Sequence, residues 1–180
     1  LLVMLGEKWN IDPRNNVVFG EEYLNLENMI LSDGQRSIEF NDFNNNKGLS
    51  LDISNFNFGM INGIIKYNKM KFEGITNLNA RVKDIFAKDK EISGYIHIPD
   101  FTINDENLLK DGIKNTKGYI DADITFGGPT NALNIDGDGS IHKGSTTLIY
   151  TGATYYFDKQ RVKLSNQKID LDGAIITDVN

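Results

Sequence analysis

The chain has 180 residues, 39% of them hydrophobic, with a net charge of −6 at pH 7. That apolar content is enough for a folded core, which excludes a disordered tail. With 19 Lys and Arg against 25 Asp and Glu, and no basic block longer than two residues, the chain cannot displace the counterions of a nucleic acid, and none is expected as a partner. The absence of cysteine removes disulfide frameworks, thiolate metal sites and Cys nucleophiles together.

No apolar run approaches the roughly 18 residues of a membrane-spanning helix. The opening LLVMLGEKWN is apolar but short, with no basic region before it and no cleavage site. With no initiator Met and an ending in mid-pattern, the chain reads as an internal fragment whose anchors and signals lie elsewhere.

Period-two alternation runs along the chain, the signature of strands with one apolar and one wet face. Leu24 with Leu26 and Ile38 with Phe40 flank Asp33-Gly34, a favoured hairpin dipeptide. After the polar spacer Asn44 to Gly48 come Leu49, Leu51 and Ile53 at odd positions, then Phe56, Phe58 and Met60 at even ones. An extra residue near Ser54-Asn55 would return all of them to one face. Met70 and Phe72, then Leu78, Ala80 and Val82, continue the pattern. It resumes at Ile92, Gly94, Ile96 and Ile98, and shifts parity again to Phe101 and Ile103. That shift marks a second bulge or corner at Pro99-Asp100, because a proline inside a central paired strand is not expected. Helical spacing is confined to short turns at Gly59–Ile65 and Asn104–Lys110.

The clearest alternation runs from Tyr119 to Ile141. Ile120, Ala122, Ile124 and Phe126 oppose Tyr119, Asp121, Asp123 and Thr125; past the break at Gly127 to Thr130, Leu133, Ile135, Gly137, Gly139 and Ile141 oppose Asn134, Asp136, Asp138 and Ser140. A last run holds Ile169, Leu171, Gly173 and Ile175, after the spacer Ser165 to Lys168. The chain is therefore expected to be all-β. Half-buried strands normally pair their apolar faces, so pattern alone favours a closed sandwich or barrel core over an open or lined groove.

The search for chemistry yields no catalytic or metal site. Asp121 with Asp123, Asp136 with Asp138 and Asp170 with Asp172 sit two apart on strands, near a glycosidase spacing. Their alternation with core residues places them on a solvated outer face. Asp136-Gly137-Asp138-Gly139 opens like a calcium loop, but the required sixth glycine and twelfth glutamate are Ile141 and Thr147. His97 is expected to point outward, and His142 to lie after a strand beside Lys143; neither has a zinc-ligand partner nearby. GSIHKGS at Gly139 to Ser145 lacks the lysine of a phosphate loop. No cofactor is expected.

The stretch Ile120 to Asn180 resembles the TamB (translocation and assembly module) family of AsmA-like envelope proteins. The cues are ITFGGPTNALNIDGDGSIHKG, TTLIYTGATYYF and VKLSNQKIDLDGAIITDVN. WNIDPRNNVVFGEEYLNLENMILSDGQRSIEF and LSLDISNFNF are similar to the preceding segment of Bacteroidetes-type members. On this reading 1–48 holds preceding strands and a hairpin, 49–118 middle strands, and 119–180 the segment most like the family's domain. The resemblance implies an elongated, curled, taco-like β-sheet whose concave apolar face forms a groove. It implies a non-enzymatic protein of the Gram-negative periplasm, anchored at the inner membrane and reaching the outer membrane. Phospholipid acyl chains and a barrel-insertase superfamily protein are the implied partners, in lipid transport and outer-membrane barrel assembly. Alternation and resemblance together nominate Ile96, Ile98, Ile120, Ile124, Phe126, Leu133, Ile135 and Ile141 as groove lining. The alternative is a β-helix-like carbohydrate-active enzyme or adhesin stalk using Asp121, Asp123, Asp136 and Asp138, with the lone Trp9.

Overall fold

The computed structural model describes residues 1–4, 6–63, 71–105, 112–165, 168–171 and 177–178. Strands obey the alternation. The first group is β1 (Leu2–Met4), β2 (Glu7–Ile11), β3 (Asn16–Phe19), β4 (Leu24–Glu27), β5 (Met29–Ser32), β6 (Ser37–Phe43) and β7 (Gly48–Asn57). After a 3-10 turn at Phe58–Gly63 come the long strands β8 (Lys71–Val82), β9 (Glu91–Asp105), β10 (Ile113–Pro129) and β11 (Asn134–Leu148). The chain ends in β12 (Thr154–Phe157), β13 (Gln160–Ser165), β14 (Lys168–Asp170) and β15 (Thr177–Asp178).

Among the described residues, thirteen strands join one sheet in the order β1-β2-β5-β6-β7-β8-β9-β10-β11-β12-β15, with β13 pairing β11 and β14 pairing β13. β3 and β4 form a separate pair. The large sheet is antiparallel and not closed. The sheet therefore does not close on itself as a barrel.

Two compact units divide the residues: 1–56 with 77–97 and 124–136, and 57–76 with 98–123 and 137–180. In the first, the registers place Ile11, Leu31, Ile38 and Ile53 in one row and Met29, Phe40 and Leu51 in the next, on a single face. Trp9 sits opposite Leu2 and is fully buried. The described apolar residues that are buried are Trp9, Leu24, Leu31 and Ile38.

The turn between β5 and β6 forms at Asp33-Gly34 as its dipeptide predicts. Gly34 takes φ +96°, and the Asp33 carboxylate accepts the backbone N–H of Gln35 and Arg36 at 3.0 and 2.8 Å. Leu24 and Leu26, however, are not in the strand before that turn. Asn28 at φ +52° breaks the run, so β4 leaves the main sheet with β3, and β5 takes the place beside β6.

Both expected bulge positions lie inside continuous strands. Asn55 lies at φ +56° within β7, where the parity shift demands an extra residue. At Pro99, β9 likewise runs on as strand, although β9 is a central strand. Pro99 and Asp100 are exposed there, and the facing Gly74 on β8 has no Cβ to collide with the Asp100 carbonyl. Missing bulk on the neighbour accommodates the proline. The 3-10 turn covers most of the expected helical turn at Gly59. Asn104 and Asp105, the start of the other expected turn, lie at the end of β9. Ile64, Ile65, Met70, residues 106–110, Asp172, Gly173 and Ile175 lie outside the described residues.

Candidate functional site

All eight nominated lining residues are half-buried. None reaches the burial of Trp9 or Leu31, and none is among the strongly exposed hydrophobics.

In the first unit, Ile96 lies on β9, Ile124 and Phe126 on β10, Ile135 on β11, and Leu133 just before it. Phe126 is set by a glycine: a Cβ on Gly94 would overlap its ring and approach the Asn79 carbonyl. The ring therefore occupies the space above Gly94, on the face that Gly94 shares with Ile92 and Ile96 by alternation.

In the second unit, Ile98 lies on β9, Ile120 on β10 and Ile141 on β11. The Ile141 methyl packs 3.4 Å from where a Gly118 Cβ would be, which puts Ile141 and the even-numbered Gly118, Ile120 and Ala122 on one face. Gly139 belongs there too, since its Cβ would meet the Ala122 methyl at 3.0 Å.

The apolar side of this unit extends to residues that alternation alone did not nominate. Lys143 takes φ +49° inside β11, so parity flips and Gly144 joins the face of Ile141. The Phe157 ring covers Gly144, its register partner. Thr146 comes next, its hydroxyl 3.0 Å from that of Thr116. Phe101 stacks on Phe72 at 5.6 Å between centroids and meets Phe58 edge-on at 4.7 Å. The parity shift at Pro99 was the available signal for that trio. Nothing in the sequence marks Lys143 as left-handed, which is why Phe157 went unnominated.

The opposite face carries the carboxylates. Asp123, Asp136, Asp138 and Asp170 are exposed and Asp121 is half-exposed, the solvated placement that alternation predicts. His142 does not come after the strand but lies within β11. Its Nε2 contacts both the Ser140 hydroxyl, at 2.5 Å, and the Asp121 carboxylate. Ser, His and Asp thus meet, but a nucleophile relay needs the base to use its two ring nitrogens on different partners. Here one nitrogen meets both. Lys143 donates its backbone N–H to Asp158 at 2.9 Å, holding that carboxyl below its usual range. His97 lies parallel to the exposed Tyr95 ring.

Among the described residues no group of three or more His, Asp or Glu is placed to hold a metal, and no helix is long and apolar enough to cross a membrane. Comparison with protein-family models, with curated proteins and with solved structures finds no match for the chain.

Proposed function

We propose that the chain is a segment of a non-enzymatic periplasmic β-groove, of the kind the TamB resemblance implies, whose apolar face carries phospholipid acyl chains between inner and outer membranes. In this reading it also supports outer-membrane barrel assembly with a barrel-insertase partner. The observation that carries the proposal is the half-burial of every nominated residue on β9, β10 and β11, in a sheet that does not close. An ordinary sheet core hides such isoleucines from water. A face that stays partly wet has apolar area left for a ligand.

The energetics fit an acyl cargo. Each buried methylene gains about 0.8 kcal/mol, so partial enclosure of one tail retains it while the head group stays hydrated. Hydrophobic contact is non-directional, which lets a tail move along the strands without a fixed register. The aspartates of the other face keep the sheet in water.

The test is in-cell photocrosslinking from a probe replacing Ile124, read by mass spectrometry, with a probe at Asp123 as the outer-face control. Phospholipid adducts at Ile124 and none at Asp123 are expected. Adducts from Ile124 to the chain's own strands alone would overturn the proposal and make the face an ordinary core.

A further inference from the structure

We infer that the turn between β11 and β12, centred on Ile149 and Tyr150, is a membrane-interface anchor whose tip enters the headgroup region of a zwitterionic bilayer. The inference stands apart from the acyl-carrier reading, which concerns the sheet face and not its turns.

From Gly144 to Phe157 the chain carries no charged residue, its longest such stretch. The stretch comprises the end of β11, the turn and β12. At its centre Ile149 is 42% exposed and Tyr150 86%, the highest value among the described large hydrophobics. Turns that face water are built from polar and charged residues, and others in this chain conform. The β5–β6 turn carries Asp33 and Arg36, the β12–β13 connection Asp158 and Lys159, and the turn before β11 Thr130 and Asn131. Tyr23, exposed before β4, follows Glu21 and Glu22.

The backbone of the β11–β12 turn is satisfied within the chain. Leu148 donates to the Ala153 carbonyl at 3.0 Å and Ile149 to the Gly112 carbonyl at 2.9 Å. Gly152, at φ +70°, turns its N–H back to the Leu148 carbonyl at 2.9 Å. Ala153 donates to the Thr151 hydroxyl at 3.2 Å. Thr147 and Thr154, register partners, hold their hydroxyls 3.0 Å apart. A partner strand would pair with free donors, and these are already engaged. A bilayer asks for that condition, because a backbone group carried away from water without a partner costs free energy.

Size selects in the same direction. A stable protein partner covers about 20–30 residues a side, and the exposed uncharged tip is a single turn. Anchoring at a bilayer interface uses a few amphipathic side chains. A tyrosine ring sits among the headgroups with its hydroxyl wet, and Ile149 beside it adds apolar area. Neither side chain is charged, so the attachment is apolar in origin. The net charge of −6 favours a zwitterionic surface over an anionic one, which repels the chain.

The test uses the full chain with unilamellar phosphatidylcholine vesicles. In Tyr150→Trp the new indole should shift its emission to the blue on vesicle addition and be quenched by acyl chains brominated near the headgroup. Trp9 is fully buried and contributes a constant background. Tyr95→Trp, at another exposed tyrosine, should do neither. Tyr150→Asp should lower the vesicle partition coefficient roughly fivefold or more with circular dichroism unchanged. The unaltered chain should partition equally in low and high salt, since screening acts on charge. No response at position 150, equal responses at 150 and 95, binding that survives Tyr150→Asp, or binding confined to anionic vesicles and abolished by salt would overturn the inference. So would a photoprobe replacing Tyr150 in cells that gives protein adducts and no lipid adducts.

Discussion

Strands β2 to β6 and strands β8 to β11 obey the same alternation and bury it differently. The shorter strands carry Trp9, Leu24, Leu31 and Ile38, all inaccessible or nearly so. The longer ones bury Thr76, Gly118, Gly144 and Thr147, while Ile75 is exposed and the nominated isoleucines are half-buried. A cap accounts for part of the difference. The Arg36 guanidinium lies 5.3 Å from the Trp9 ring centroid, with Asp33 and Glu7 as its carboxylate partners. The β3–β4 pair adds Leu24, held by its N–H to the Asn46 carbonyl at 2.7 Å. Identical periodicity therefore yields a buried patch around the cap, beside which Ile11, Met29 and Phe40 stay half-buried, and no buried isoleucine among the nominated residues of β9 to β11. Alternation specifies which face is apolar; it does not specify whether anything covers that face.

The largest expected effect tests the capped end. Trp9→Ala should cost about 3–5 kcal/mol in urea unfolding, the range for deleting a buried aromatic. Trp9→Phe sharpens this, because the indole Nε1 is buried with no hydrogen-bond partner among the described residues. Removing that orphan donor while keeping a ring should recover most of the loss.

Next comes a matched pair with the same chemical change in the two regions. Ile38→Ala, at a buried site, should cost about 2–5 kcal/mol. Ile124→Ala, at a half-buried one, should cost about 1 kcal/mol, since less area leaves water there on folding. Equal costs in urea titrations would erase the distinction between the regions and the groove proposal with it. Gly94→Val asks whether the long-strand face has spare room. The Asn79 carbonyl and the Phe126 ring already fill the space above Gly94, so the variant should lose about 1–3 kcal/mol from overpacking.

How far the sequence carries these distinctions depends on the kind of signal. Asn55 is legible because it leaves a parity shift between Ile53 and Phe56. Lys143 and Asn115 also take positive φ, yet the residues after Lys143 are glycine, serine and threonines, which carry no apolar parity to break. Asn28 diverts β4 from the sheet, and without it Leu24 and Leu26 read as one strand with Ile30. The faces of the eight nominated residues are set by period two. Their half-burial is not, because it depends on what the rest of the chain places above them.

The smallest expected effect is an acid response at the capped end. Asp33 is held at about 2, against an ordinary 3.8, first by the Arg36 backbone N–H and then by its side chain, with the Gln35 N–H adding to them. A carboxyl whose folded value is depressed contributes stability that is complete above its unfolded value and lost as pH falls through the folded one. The window therefore runs from about pH 4 down to about pH 2. Protonation there removes the charge that holds Arg36 over Trp9, so the lone tryptophan reports the change in its own emission. Trp9 fluorescence should shift in that window, and Asp33→Asn should show the shifted signal already at neutral pH. If Trp9 emission stayed constant through that window, the cap would be a bystander, and something else would have to set the burial of the ring.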